Sequence, residues 1–374
     1  MNKKNRKKYL TYAESGVDEP KEQEAFSKIS GFFKKTYSFR EGIGSTSYNI
    51  GHFANVLNME NGLGLVLTTD GVGTKLLIAQ MLNKFDTVGI DCIANNVNDI
   101  LCMGAEPVAM LDYIAINTID EKVLEDIVRG LYLGAKEAHI SIPGGEIAQV
   151  PDMLSGPGNG VSLDLVGSAA GIVGLSSKRT DLLPLIDGTN VKPGDVLIGL
   201  PSSGMHSNGY SLARKVLLEQ AKLKLDRYIN ELGKTLGEEL LTPTYIYVDV
   251  MLSLLKKKIA IHGIVNVSGG GLLSLGRLPN NYSYVIDNLP TPPAIFNLIK
   301  EYGSLPDSVM FAAFNMGIGF CLVCAEEHVG EAVKDINANG HRPVILGNVA
   351  AEPGKKIFLE TCQLVGTGET FRSK

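Results

Sequence analysis

No window of the chain approaches about 18 unbroken apolar residues, which excludes a membrane-spanning helix. Zinc spacing is missing too, because the six histidines form no HExxH or other close ligand pattern. Cysteine is scarce: Cys92, Cys102, Cys321, Cys324 and Cys362 are five in 374 residues. That odd, scattered count argues against a disulfide framework and for a reduced, cytoplasmic setting. Cys321-Leu-Val-Cys324 has the CxxC form, but it lies inside the apolar segment GIGFCLVCA with no second pair. Buried strand thiols explain it better than a metal does. Positive charge is not in excess: the formal charge is −5 and the pI about 5.8, so nothing suggests a general nucleic-acid binder. The basic opening MNKKNRKKYL has no apolar run behind it and reads as a solvated arm, not a signal peptide.

The chain does have apolar residues enough for a sizeable core, at 44% hydrophobic and 20% charged, and a mean hydropathy of +0.09 fits a soluble globular protein. Its length divides most naturally into two domains. The polar connector SSKRTD after Gly174 marks the boundary, giving an N-terminal domain 1–174 and a C-terminal domain 175–374. A charged helix pattern covers Glu19–Thr36, followed by the loop EGIGSTSYNIGHF and a strand at Gly62–Thr69. Helix Asp86–Met103, strand Pro107–Ile116, helix Asp120–Ala138, a glycine-rich turn IPGGEIAQVPD and strand Val161–Val173 complete the first half. The second half reads as strand Val196–Leu200, the turn SSGMHSNGYS, and helices Leu212–Lys222 and Thr244–Leu255. Strand Ser283–Ile286, helix Pro293–Tyr302, strand Gly317–Ala325, helix Glu327–Asn339 and strand Val344–Val349 end it. Strands alternating with helices predict α/β layers in both halves.

The stretch DGVGTK, Asp70–Lys75, follows a strand but does not fit the Walker A pattern. Gly71 and Gly73 would let backbone amides approach an anion, Thr74 and Lys75 add a hydroxyl and a point charge, and Asp70 could hold a metal. A tight strand-to-helix turn is the plainer account of the same residues. Downstream, Asp91, Asn95 and Asn98 recur at i, i+4 and i+7 with Asp99 beside them, opposite an apolar face. Either a magnesium-supporting face or an ordinary polar one fits. Asp112, alone in the strand VAMLDYIAI, needs a metal or a substrate hydroxyl as partner, and Glu146 follows two glycines. Oxygen ligands around Mg2+ and a nucleotide are the economical explanation for these acids. In the second half His206 lies in a hydroxyl- and amide-rich turn, and His262 precedes NVSGGGLLS, whose glycines can bring amides to a phosphate. Asn315, in FNMGIG, suits either base recognition or a turn.

Taken in order, TTDGVGTKL, DTVGIDCIANNVNDILCMGAEPVAMLDYIA, GGEIAQVPDM, GDVLIGLPSSGMHSNGYSLARKVL, HGIVNVSGGGLL and FNMGIGF closely resemble the phosphoribosylformylglycinamidine cyclo-ligases, or aminoimidazole ribonucleotide synthetases. YAESGVD, IGHFANVL and LLTPTYIYVDVMLSLL extend that resemblance from about Tyr12 to Val349. It implies ATP-dependent ring closure of formylglycinamidine ribonucleotide in purine biosynthesis, with ATP and Mg2+ required. By analogy Asp70, Lys75, Asp91, Asn98, Asp99 and Glu146 would serve Mg-ATP, with Asp70, Asp99 and Glu146 on the metal. Gly51, His52 and Phe53 would close over phosphates, and His206, with Lys75 and Asp70, would be catalytic. Ser207 and Asn208 would lie near the reacting groups, with Asp112 and Asn315 on the substrate and His262, Gly269, Gly270 and Gly271 near its phosphate. The family fold implies two α/β domains: N-terminal strands of two subunits meet in a barrel-like dimer core, and the C-terminal domain is a mixed sheet flanked by helices. Membrane and nucleic-acid partners are not implied. The chain departs from the commoner pattern at Ile147 and Gln149, at Ala312-Ala313 in place of Arg-Thr, and in the loop IGHFANVL. Another ATP-using enzyme of the superfamily, or a catalytically impaired nucleotide-binding dimer acting as sensor or scaffold, is the alternative reading.

Overall fold

The computed structural model describes residues 15–16, 19–46, 48, 50–157 and 160–374. The basic opening and most of YAESGVD lie outside the described residues. The first half contains α1 (Glu19–Thr36), β1 (Asn55–Asn58), β2 (Leu63–Gly71), α2 (Leu76–Leu82), α3 (Val88–Leu101), β3 (Glu106–Ile116), α4 (Glu121–Glu137), β4 (Ser141–Gln149) and β5 (Leu163–Gly174). Then follow β6 (Val196–Pro201), α5 (Tyr210–Arg214), the short hairpin β7 (Tyr228–Ile229) and β8 (Lys234–Thr235), α6 (Leu236–Leu240), α7 (Val248–Lys256) and β9 (Ile261–Asn266). The chain finishes with β10 (Tyr282–Ile286), α8 (Ala294–Gly303), α9 (Asp307–Ala313), β11 (Ile318–Cys324), α10 (Val329–Ala338), β12 (Val344–Pro353), β13 (Ile357–Leu359), β14 (Leu364–Thr367) and β15 (Thr370–Ser373).

Two mixed sheets organise these elements. The first has the order β1-β2-β5-β3-β4, antiparallel except for β3–β4, and the second the order β15-β14-β13-β10-β12-β6-β11-β9. The α/β expectation therefore holds in both halves. Within one chain the first sheet is open rather than a closed barrel. The segment expected as a turn, IPGGEIAQVPD, instead supplies β4, which pairs in parallel with β3 from Ala109↔Ser141 to Ile116↔Gln149. Pairing with a neighbouring strand outweighs the low strand propensity of its Pro-Gly-Gly. Helix Leu212–Lys222 is in fact α5 running into a π-helical segment, Lys215–Gln220. Strand β12 continues past Val349, and three further short strands extend the second sheet; α9 was also not foreseen from the sequence.

One face of the first sheet is covered by α3, which packs in turn against α4. Their approach is so close that a Cβ at Gly89 would lie 2.4 Å from the Ile127 carbonyl oxygen. Residues on the other face alternate out of the sheet, as period-2 geometry requires. Leu67, Leu111 and Tyr113 are 41%, 51% and 42% exposed there. Leu67 and Leu111, with the loop Ile50–Asn55, border a trough of about 630 Å³ whose walls are mostly apolar.

Candidate functional site

The register of the first sheet builds the site's floor. Asp70 of β2 stands opposite Gly167 of β5, which stands opposite Asp112 of β3. Directly opposed residues of antiparallel strands project to one face, so both acids lie on the α3 side with a glycine between them. A Cβ at Gly167 would fall 2.6 Å from Asn96 Nδ2, so only glycine lets the helix settle here. Asn96 uses that closeness to clamp β2: its Oδ1 accepts the Asp70 N–H at 3.0 Å and its Nδ2 donates to the Asp70 carbonyl at 3.0 Å. The Asp70 carboxylate accepts the Gly71 N–H at 2.8 Å.

Removal from water pushes the Asp70 carboxyl up, against the Gly71 hydrogen bond and the Arg277 charge. Asp99, on α3, accepts from Asn266 Nδ2 at 2.9 Å. Burial raises its carboxyl to about 7; Asn266 opposes that rise, Asp70 adds to it and Arg277 opposes it. Two desolvated carboxyls, one of which feels the charge of the other, suit a divalent cation held by hard oxygens. Asp112 is also raised by desolvation, its carboxyl leaning over the bare Gly145. Glu146 pairs with Tyr113, so the register sends its side chain to the open face of the sheet, away from Asp70. Among the described residues no three His, Cys, Asp or Glu side chains come together as an ion would need. Asp70, Asp99 and Glu146 are thus not assembled as one set of ligands within this chain.

Lys75 occupies a different place from the one expected. It is fully buried, and its ammonium contacts Asp91 at 2.8 Å, the Thr242 carbonyl at 2.6 Å and the His206 carbonyl at 3.2 Å. Asp91 also accepts from the Thr244 N–H at 2.8 Å, the Thr244 hydroxyl at 2.7 Å and the Ser207 hydroxyl at 3.3 Å. Asp91 and Asn98 of the polar stripe on α3 are therefore neither solvated nor open to a ligand; they join the halves. Asn98 donates to the Tyr245 carbonyl at 2.8 Å and accepts from the Tyr247 N–H at 3.1 Å, and Asn95 donates to the Gly71 carbonyl at 3.0 Å.

His206 is buried with φ +59°, and its Nε2 accepts the Ser203 N–H at 3.2 Å. Burial, followed by the Lys75 charge, drives its imidazole down to about 3, so it is neutral and unsuited to moving protons near pH 7. Asn315 uses its amide on the Gly204 carbonyl at 2.9 Å and its oxygen on the Gly317 N–H at 2.9 Å, which makes it a turn residue. His262 lies four residues from Asn266, at the far end of β9, where its Nδ1 meets Asp195 at 2.8 Å. That distance along the strand removes it from the acids. Asn208 is half-buried beside buried Ser207, and Thr74 meets Ser211 at 3.2 Å, so the DGVGTK turn touches the SSGMHSNGYS turn.

The glycine loop borders the trough on the sheet's open face and reaches Arg277 through Phe53. Gly51 takes φ +131° and is exposed, while buried Phe53 receives the Arg277 guanidinium over its ring at 4.8 Å. Both ring nitrogens of His52 are buried without a hydrogen-bond partner among the described residues, and burial lowers its pKa to about 4. Gly270 (φ +83°) and Gly271 (φ +55°) start a 3-10 helix, Gly271–Arg277, and Gly269 and Gly270 border a cavity of about 320 Å³ with Ser274, Arg277 and Lys355. Sequence reasoning missed Asn96, Asn266, Thr244 and Arg277. Asn96 was legible only as one more amide in IANNVND, and Arg277 only as a lone base six residues after Gly271.

Residues 51–173 match the family described as AIR synthase related protein, N-terminal domain, and residues 192–360 match its C-terminal domain. The phosphoribosylformylglycinamidine cyclo-ligase of Pyrococcus furiosus is 46% identical over 92% of this chain and 96% of its own length. The chain belongs to the phosphoribosylformylglycinamidine cyclo-ligase family. The enzyme of that name from Methanocaldococcus jannaschii is 44% identical over 91% of this chain and 92% of its own. Among solved structures, thiamine-monophosphate kinase from Stenotrophomonas maltophilia K279a shares the fold, with a TM-score of 0.60 at 21% identity over 86% of this chain and 93% of that one. The cyclo-ligases are ATP-dependent ligases of purine biosynthesis, and the sequence resemblance is thereby established.

Two outcomes follow from the buried centre. Asp91→Ala strands the Lys75 ammonium and should lower the unfolding free energy by about 3–5 kcal/mol in urea titrations; a loss below about 1 kcal/mol would contradict its place as the joint between halves. His206 is protonated in the unfolded chain but not in the folded one between about pH 6.5 and 3, so its contribution is full above about 6.5 and fades as pH falls. In His206→Asn the stability difference between pH 7 and pH 5 should shrink by about 2 kcal/mol relative to the parent.

Proposed function

We propose that this chain carries out the family reaction, closing the imidazole ring of formylglycinamidine ribonucleotide at the expense of ATP. The observation that carries the reading is the paired acids Asp70 and Asp99, set beside the glycine loop Gly51–Phe53 and the Arg277 guanidinium. The formyl amide oxygen takes the γ-phosphoryl group of ATP, and ADP leaves. The amidine nitrogen then attacks the activated carbon, the carbon–oxygen bond to phosphate breaks, and phosphate departs as a proton is lost. Such a transfer depends on positioning and charge more than on covalent help from the protein.

Asp70 and Asp99 would hold Mg2+, which when bound offsets the negative charge of the phosphates. Asn96 clamps the backbone of Asp70, and Asn266 donates to the Asp99 carboxylate, so both acids are kept in place. Gly71 and Gly73 leave the strand end open to phosphate oxygens, Asp112 faces the same side for a substrate hydroxyl, and Asn208 approaches from the opposite half, next to Ser207, whose own hydroxyl is spent on Asp91. Lys75, Asp91, Asn98 and His206 act from beneath by holding the halves in register.

The open apolar face of the first sheet supports a homodimer, with Leu67, Leu111 and Tyr113 covered by a second copy. Glu146, on that same face, would then approach the partner's site. Two domains, 1–174 and 175–374, fit the division of the strands between sheets. Five free cysteines, four of them buried, support a cytoplasmic enzyme.

Purified protein supplied with formylglycinamidine ribonucleotide, ATP and Mg2+ should release ADP and form an aminoimidazole detected by diazo coupling. No product at saturation, with ATP still bound, sinks the proposal. Asp70→Asn should abolish turnover and leave the melting temperature nearly unchanged. Leu111→Glu should convert the dimer to a monomer in light scattering; a parent protein already monomeric at high concentration would remove the dimer.

A further inference from the structure

The site needs a cation to face phosphate, and Lys75 does not supply one because its ammonium is enclosed and fully engaged. Arg277 stands where such a charge is missing. It is the last residue of the 3-10 helix that begins at Gly271, and it is exposed. Among the described residues no hydrogen bond or ion pair engages its guanidinium. Its field reaches Asp70 and Asp99, opposing the rise of both carboxyls, and reaches His52 as well.

The side chain is also held. The Phe53 ring lies under the guanidinium, its centroid 4.8 Å from Cζ, a cation–π contact that holds the charge without using its N–H groups. The Lys355 ammonium donates to the Gly276 carbonyl at 3.2 Å and the Leu278 carbonyl at 2.6 Å, gripping the backbone on both sides of Arg277. An arginine held over a ring, with no hydrogen bond among the described residues on its guanidinium, matches bidentate recognition of a phosphate. Its other flank borders the glycine-lined cavity of Gly269, Gly270 and Ser274.

We propose that Arg277, oriented by Phe53 and Lys355, is the cation of this site that binds a phosphate group. This rests on the reading of the site as one for phosphorylated ligands. Both the nucleotide and the substrate carry such a group, and the binding measurement separates them. Isothermal titration of the full-length protein would use a non-hydrolysable ATP analogue with Mg2+ in one arm and ribose 5-phosphate in the other.

Arg277→Met should weaken one of the two by about 10- to 100-fold, the loss of a charge-assisted pair. Loss in the first arm assigns Arg277 to the nucleotide, and loss in the second assigns it to the substrate. Arg277→Lys should recover part of the affinity, since charge returns without the planar fork. Phe53→Leu should weaken the same ligand while leaving the other unaffected, a selectivity that a general packing defect would not produce. Unchanged affinity of Arg277→Met and Arg277→Lys for both probes overturns the proposal. If Arg277→Met fails to fold, Arg277→Lys with parental affinity in both arms overturns it alone. Because no turnover is measured, a protein that closes no ring could still show the loss, so the two ideas fail separately.

Discussion

Everything above the floor of this molecule depends on one buried ion pair. Lys75 belongs to the turn after β2 and Asp91 to the helix behind it, yet nearly all their further partners, Thr242, Thr244, His206 and Ser207, come from the other half. A buried pair repays its desolvation only when extra hydrogen bonds satisfy what the charges leave over. Here carbonyls surround the ammonium, and hydroxyl and amide donors converge on Asp91 Oδ1, while Oδ2 faces the ammonium at 2.8 Å. The pair therefore specifies how the two sheets meet, because no other docking of the halves would satisfy both charges.

That docking sets the chemistry. With the second half fixed against α3, Asn266 reaches Asp99, and the 3-10 helix brings Arg277 over Phe53. The acids themselves are placed by strand register, with glycine at the position between Asp70 and Asp112. Charge and conformation thus do separate jobs. The buried polar atoms orient the elements, and the less buried ones at the sheet end remain for a ligand.

Much of the fold was legible because its periodicities are strong: α3 and α4 carry apolar stripes, and β3 and β11 are nearly continuous apolar runs. Helix α1 was read at its observed limits. β4 was not legible, since Pro143, Gly144 and Gly145 look like a turn until β3 is available to pair with them. The terminal strands β13 to β15 are each four residues or fewer, too short for a pattern. At the site, the chain shows which residues are polar but not which polar atoms the fold consumes. Lys75 and Asp70 sit five residues apart in one motif; one ends wholly enclosed and the other opens to solvent. Asn315 and His262 drew notice for their type, and local partners absorbed both. Arg277 drew none, because a single arginine has no pattern until Phe53, some 220 residues earlier, lies under it.

The glycine loop has a further consequence. Asn98 and Asp91 stitch α3 to the segment Thr242–Tyr247 along the line where two lobes would otherwise rock against each other. A hinge secured along its whole length does not open. Ligand capture then falls to the loop Ile50–Asn55, and Gly51, exposed and in a backbone region that suits glycine, is where that loop turns. Such an enzyme would admit and release its ligands on the timescale of a loop rather than that of a domain.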